Sequence, residues 1–195
     1  ALLPLACHGR PCSESDVYPG WPISKHHRAY GAPRPHPELM GCSLVDMANA
    51  GLTQDETYEL TRVIRDAASG EFRNISVLHE IATLSLEGTP MGDAGATVLA
   101  DAFGPRVPLP NVIRLALGAA QITGVGASVL AGTLSAAGST VESLRLDWNH
   151  IGDAGASAIG RALRGNQKLH VLGLERCGVG DAGATAIAIA LGASD

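Results

Sequence analysis

Apolar residues return in the same order through most of the chain, in stretches that begin 28 to 31 residues apart over its last part. The two clearest copies read LRLDWNHIGDAGASAIGRAL from Leu144 and LGLERCGVGDAGATAIAIAL from Leu172. A fixed period of this length indicates stacked structural units, because one unit alone cannot bury its apolar face. Five copies are recognisable, and the first is irregular; they begin at Cys42, Ile81, Val112, Val141 and Leu169.

Each copy predicts a strand, a turn and a helix. Leucines two residues apart, such as Leu144 and Leu146, place both side chains on one face of a strand. Apolar residues four apart, such as Ile159 and Leu163, share one face of a helix. The pattern therefore predicts parallel strands near Val45, Leu84, Leu115, Leu144 and Leu172.

The predicted turns contain helix-start signals. Thr53 and Glu56 form a capping-box pattern before the first helix. Asp93, Asp153 and Asp181 fall at the starts of later helices, where a carboxylate meets the positive end of the helix dipole. The GDAGA stretches are therefore interpreted as strand-to-helix turns. They are not phosphate loops, since the motif G-x-x-x-x-G-K-[S/T] does not occur.

The spacing L-x-x-L-x-L-x-x-N/C-x-I-x-x-x-G resembles leucine-rich repeats. The 28- and 29-residue spacings, the full helix and the alternation of Asn149 with Cys177 look like the ribonuclease-inhibitor-like subclass, although Thr89 and Ala120 depart from the pattern. The resemblance implies an α/β solenoid that binds proteins, with parallel strands on a concave face and helices on a convex face. We expect about five repeats over 42–195, the first one irregular.

Residues 1–41 are expected to form an extended arm. They hold seven of the eleven prolines and show no strand or helix period. Aromatic residues expected to contact neighbouring subunits lie in this arm: Tyr18, Trp21 and Tyr30. Six cysteine and histidine residues could supply zinc ligands, but their spacing is loose and a metal-free arm is favoured. These residues are Cys7, His8, Cys12, His26, His27 and His36.

The remaining chemistry points away from catalysis. The net charge of −5 does not favour a nucleic-acid partner. The uncharged run 115–141 could suggest a membrane span, but the repeat explains it better. Cys42 and Cys177 occupy apolar repeat positions and are expected in the core. When the copies are aligned, they contain no nucleophile–base pair and no metal-binding cluster. We therefore expect a non-enzymatic intracellular protein without a cofactor.

Two surfaces are candidate protein-binding sites. Residues between the strand leucines, and those on the following turns, are expected to face a partner or, alternatively, to form a solvated surface. The candidates are Glu87, Arg114, Arg145, Asp147, Trp148, Glu175 and Arg176. At the C-terminal edge, Ile189 stands where other copies hold Asp101, Gly132 or Arg161. We expect Ile189 to be covered by further chain or by another subunit.

The favoured function is a small accessory or scaffold subunit of a larger assembly, either ciliary or organellar, for example photosynthetic, respiratory or ribosomal. The alternative is a soluble regulator, meaning an enzyme inhibitor or an activator of a small GTPase. Protein subunits are the expected partners in the first case. Stoichiometric purification with a complex would separate the two hypotheses. The compartment, whether cytoplasm, cilium or organelle, stays open.

Overall fold

The computed structural model describes residues 6–7, 10–11, 44–68, 82–103, 112–135 and 139–192. The strands are β1 (Ala6–Cys7), β2 (Arg10–Pro11), β3 (Leu44–Asp46), β4 (Thr83–Ser85), β5 (Arg114–Ala116), β6 (Ser143–Arg145) and β7 (Val171–Gly173). The helices are α1 (Gln54–Ala68), α2 (Gly92–Ala102), α3 (Gly124–Ser135), α4 (Gly152–Leu163) and α5 (Asp181–Gly192).

The strands form one sheet in the order β2-β1-β3-β4-β5-β6-β7. Strands β3 to β7 are parallel, and their middle residues pair in line from Val45 through Leu115 to Leu172. All five predicted strand positions are therefore confirmed. Each helix from α1 to α5 packs against the next. The architecture is the α/β leucine-rich-repeat solenoid expected from the repeat.

The N-terminal part contributes a short hairpin to the sheet. β1 and β2 pair antiparallel, and Ala6 of β1 pairs with Leu44 of β3. The arm predicted over 1–41 stays a prediction, because most of it, including Tyr18, Trp21 and Tyr30, lies outside the described residues. The same holds for Cys42 and for the Cys/His cluster apart from Cys7, whose backbone lies in β1.

The core is a ladder of aliphatic side chains between the sheet and the helices. Leu86, Leu117 and Leu146 are fully buried, as is the Cys177 side chain. Leu172 and Leu174 of the last described unit pack against the same cluster but are only partly buried. Burial of each leucine therefore depends on a neighbouring unit as well as on its own helix. Among the described residues, no helix is both long and apolar enough to cross a membrane.

Asn149 bonds its own unit to the preceding one. Its Oδ1 accepts hydrogen bonds from the backbone N–H groups of Ala120 and Ile122, at 3.0 and 2.9 Å. Its Nδ2 donates to the carbonyls of Leu117 and Leu146, both at 2.8 Å. At the matching position, Cys177 Sγ donates to the carbonyl of Leu146 at 3.0 Å. The alternation of asparagine and cysteine thus reflects one structural role, because both satisfy buried backbone groups.

The helix-start signals lie where the sequence predicts them, but not all of them cap their own helix. Glu56 accepts from the backbone of Thr53, and Thr53 Oγ1 accepts from the backbone of Glu56, as a capping box requires. Asp93 and Asp153 do stand in the first turns of α2 and α4, but those helices have no side-chain cap of their own.

The carboxylates of these two aspartates instead reach the next unit. Asp93 Oδ1 accepts from the N–H groups of Thr123 and Gly126, and Asp153 Oδ1 from those of Gly180 and Gly183. Each carboxylate therefore caps the start of the following helix. The predicted place of Asp93 and Asp153 at their own helix starts is confirmed. Their hydrogen bonds to the following helix are an additional contact that arises from stacking of the units.

Candidate functional site

A left-handed backbone corner follows each strand of the repeat stack. The corner residue of each unit before the last described one donates its N–H to a carbonyl of the next unit, as Trp148 does to Glu175 at 2.7 Å and Ala119 does to Asp147 at 2.8 Å. The corner residues are Asn49, Gly88, Ala119, Trp148 and Arg176, with φ between 51° and 68°. A left-handed conformation costs a residue with a side chain about 1–2 kcal/mol, which explains glycine and asparagine there.

The last two corners hold residues poorly suited to that conformation. Trp148 has a φ of 61° and Arg176 a φ of 53°. Their side chains contact each other, with the Arg176 guanidinium carbon 4.3 Å from the centroid of the Trp148 ring. The contact is a cation–π interaction worth about 0.5–1 kcal/mol at an exposed site. This gain is smaller than the summed backbone cost, so folding stability alone does not account for the pair.

The Trp148–Arg176 pair is accessible to a partner. Trp148 keeps 54% of its surface exposed even with Arg176 against its ring. Arg176 Nε also lies 3.7 Å from Glu175 Oε1, in an ion pair whose side chains are both well exposed. Such a surface ion pair contributes little to stability. The pair therefore offers a large aromatic surface next to a cation with unused hydrogen-bond donors.

Asp147 positions this pair. Its Oδ1 accepts a hydrogen bond of 2.8 Å from the backbone N–H of Glu175, which precedes Arg176. The carboxylate also fills the space beside Gly173, where a Cβ would lie 2.5 Å from Asp147 Oδ2. A side chain at position 173 would therefore require the Asp147 carboxylate to move. We interpret Asp147 as a residue that holds the last corner in place, although the sequence suggested a direct partner contact.

The other candidates are distributed along the sheet. Arg145 ends β6 beside the Trp148 corner and is exposed, and Arg114 begins β5 and is also exposed. Glu87 follows β4, two strands away from β6 in the sheet order. The structure therefore brings together Asp147, Trp148, Glu175 and Arg176, with Arg145 next to them on the same strand end. Arg114 and Glu87 are not part of this group.

One exposed apolar residue on the sheet was not selected from the sequence. Val171 begins β7 and is 46% exposed, in the register row that also contains Ser143 and Arg114. Comparison of the copies could have identified it, because the first strand position holds the polar Thr83 in β4 and the apolar Val171 in β7. It extends the apolar surface of the sheet near its last strand.

The described residues offer no metal-binding cluster, and their one cysteine with a described side chain is buried. They contain no group of three or more histidine, cysteine or acidic side chains that could hold a metal ion. Burial raises the pKa of the Cys177 thiol, and the nearby negative charge of Asp147 raises it further. A thiol with a raised pKa is a weak nucleophile, so Cys177 has the character of a core residue.

The comparisons with known proteins agree with the repeat architecture. A family model described as Leucine Rich repeat matches residues 139–160 and 165–188, which cover β6 with most of α4 and β7 with most of α5. A solved structure of the leiomodin-1 actin-binding site 2 is similar at a TM-score of 0.53 and 23% identity, over 73% of this chain and 74% of that one. This likeness is one of fold. No curated protein matches the chain at a significant level. The repeated sequence, the parallel strand–turn–helix units and the family match over the last two units together support a leucine-rich-repeat architecture.

Proposed function

We propose that the protein is a non-enzymatic protein–protein interaction module that binds its partner through the Trp148–Arg176 pair. The observation that carries this proposal is the conformation of the two residues. Both occupy left-handed corners at an energetic cost, and Trp148 remains 54% exposed. Backbone strain retained at an exposed site favours a functional role for the side chains. Tryptophan and arginine are also the residue types that most often anchor interfaces.

The chemistry of the pair describes the expected partner surface. Trp148 would bind in an apolar pocket of the partner. Arg176 would bind a carboxylate or a group of carbonyl oxygens beside that pocket. Arg145 adds a second cation at the end of β6. The partner is therefore a protein with an apolar pocket bordered by acidic residues. In the sharper form of the proposal, this partner belongs to a larger intracellular assembly in which the protein is a small accessory subunit.

The test compares two variants that relieve the same backbone strain. Trp148→Gly and Ala119→Gly both place glycine at a left-handed corner, but only the first removes an exposed aromatic side chain. Tagged wild-type and variant chains are expressed in the native cell, purified gently, and compared by quantitative mass spectrometry. The partner's affinity for Trp148→Gly is then measured with purified components.

We expect Trp148→Gly to weaken partner binding by about 30-fold or more, the loss of about 2 kcal/mol that defines an interface hot spot. Its free energy of unfolding should stay within about 1 kcal/mol of wild type, because the relieved strain offsets the lost ring contact. Ala119→Gly should bind like wild type. Equal recovery of every partner by Trp148→Gly and wild type would refute the proposed surface. Recovery at fixed stoichiometry would support a subunit, whereas a chain recovered mostly alone would support a regulator.

A further inference from the structure

Two exposed features of the molecule lie outside the Trp148–Arg176 pair. Ile189 on α5 is 54% exposed, and its expected coverage stays a prediction. The second feature is a pair of exposed arginines, Arg114 at the start of β5 and Arg145 at the end of β6. Strands β4 and β7 pair with β5 and β6 on either side, so these two arginines lie within the repeat stack.

The two arginines share one face of the sheet. Leu115 and Leu144 pair with each other in the register and are buried toward the helices. Successive residues of a strand point to opposite faces, so Arg114 and Arg145 point away from the core. Arg114 pairs with Ser143, and Arg145 follows Ser143 by two residues. A strand spacing of about 4.8 Å and a rise of about 3.3 Å per residue place the Cα atoms of the two arginines about 8 Å apart.

Both guanidinium groups have unused donors. Neither Arg114 nor Arg145 forms an ion pair or a side-chain hydrogen bond with a described residue. The nearby Asp147 carboxylate instead accepts the backbone N–H of Glu175 at 2.8 Å. The register neighbours of the two arginines are small or uncharged, namely Thr83 and Ser143 beside Arg114, and Ala116 and Gly173 beside Arg145. The two guanidinium groups can therefore converge on one ligand above Ser143.

The negative charges around the arginines limit the size of that ligand. Glu142 directly precedes β6 and is exposed, and Asp147 lies two residues beyond Arg145. A nucleic-acid strand carries a phosphate at every nucleotide and would bring several of them close to these carboxylates. The ligand must therefore be compact, with its negative charge confined to the space between the two arginines.

A phosphate monoester matches these donors well. At neutral pH it carries a charge of about −1.5 to −2 and three acceptor oxygens. Arginine can donate two parallel N–H groups to phosphate, so Arg114, Arg145 and the Ser143 hydroxyl supply donors for all three oxygens. A single carboxylate has one negative charge and two oxygens, and it would leave one arginine without a counter-charge.

We propose that Arg114, Ser143 and Arg145 bind a phosphorylated serine or threonine side chain of a partner protein. The choice of a protein as the carrier rests on the proposed function, because Trp148 and Arg176 follow the ends of β6 and β7 on the same side of the stack. The anion site itself does not depend on that pair. Occupation of the site makes binding depend on the phosphorylation state of the partner, which an aromatic contact alone does not provide.

The test titrates the full chain with three capped tripeptides that differ only in the residue between two glycines. This residue is phosphoserine, glutamate or serine. Binding is followed by NMR through the Nε–Hε signals of Arg114 and Arg145, which are assigned with Arg114→Gln and Arg145→Gln. The matched control is Arg161→Gln, which removes the same charge from the exposed side of α4. Inorganic phosphate and a short single-stranded RNA are two further probes.

We expect the phosphoserine peptide to bind about tenfold more tightly than the glutamate peptide, and the serine peptide to leave the signals unchanged. Arg114→Gln and Arg145→Gln should each weaken phosphoserine binding about tenfold or more, because each removes charge-assisted hydrogen bonds. Arg161→Gln should bind like wild type. All three variants should keep the wild-type midpoint of urea unfolding, since each replaces an exposed side chain.

The proposal is overturned if the three peptides bind equally, or if Arg114→Gln or Arg145→Gln binds phosphoserine like wild type. A glutamate peptide that binds as tightly as the phosphoserine peptide would make a carboxylate the ligand. Tighter binding of inorganic phosphate or of the RNA, lost in the same variants, would exclude a protein as the carrier. The tripeptides offer no apolar pocket for Trp148, so failure here is distinct from failure of the Trp148→Gly test.

Discussion

The hydroxyl of Thr123 donates a hydrogen bond of 2.6 Å to the carboxylate of Asp93, which lies one repeat earlier in the chain. Burial of Asp93 raises the pKa of its carboxyl group, but the hydrogen bonds from Thr123 and Gly126 outweigh that effect and leave the pKa below its usual value. Asp93 therefore contributes stability in its ionised form. The contribution belongs to the contact between two units, not to one helix.

A pH-dependent loss of stability follows for Asp93→Ala. A depressed pKa in the folded state means that the contribution is present above the unfolded pKa of about 3.9 and disappears as the pH falls through the folded value. We expect the substitution to cost about 1 kcal/mol at pH 7 and much less near pH 2. Urea unfolding at both pH values measures this difference. Asp101→Ala, an exposed change on the same helix, is the control, and an equal Asp93 effect at both pH values would contradict the assignment.

Asn149→Ala should be among the most damaging single changes in the repeats. It removes the partner of two backbone N–H groups and of the Leu117 carbonyl in the buried turn between units, while the Leu146 carbonyl keeps the Cys177 thiol. Each buried group left unsatisfied costs about 1–3 kcal/mol, so a total of about 3 kcal/mol or more is expected. Asn149→Cys should be milder, because Cys177 fills the same position. The midpoint of chemical unfolding distinguishes the two variants, and equal losses would show that the hydrogen bonds are not the cause.

Leu146→Ala tests the central core. Leu146 is fully buried between neighbouring units, and truncation of such a leucine to alanine usually costs about 2–5 kcal/mol. In a stack of few units, this loss is expected to uncouple the repeats on either side. Leu191→Ala is the matched control, because the exposed Leu191 should lose less than about 0.5 kcal/mol. Denaturation followed by circular dichroism gives both values. A midpoint of Leu146→Ala equal to that of wild type would show that Leu146 is not a core residue.

Cys177 should react slowly with thiol reagents in the folded protein. Its side chain is 2% exposed, and burial raises the pKa of its thiol, so little thiolate is available. The measurement uses a variant in which Cys7, Cys12 and Cys42 are replaced by serine, so that one thiol remains. We expect modification to be slow in buffer and immediate in concentrated urea. Rapid labelling without denaturant would mean that the last unit opens readily.

The sequence alone was sufficient for the strands, the helices and the buried leucines. Their positions follow from short-range spacing, since residues two apart share a strand face and residues four apart share a helix face. This spacing therefore predicts Leu84, Leu115 and Leu144 in the core, where all three are buried. The capping box of Thr53 and Glu56 was predicted for the same reason, because both partners lie within one turn of α1.

The tertiary structure decided which residues of different units meet. Asp93 and Gly126 are 33 positions apart, and the stacking distance, not the spacing within a copy, brings them into contact. The same stacking places the Arg176 guanidinium over the Trp148 ring. These relationships depend on the backbone corners and on the sheet register, which a one-dimensional period does not contain. Local spacing thus determines the unit, and packing between units determines the surface that a partner can bind.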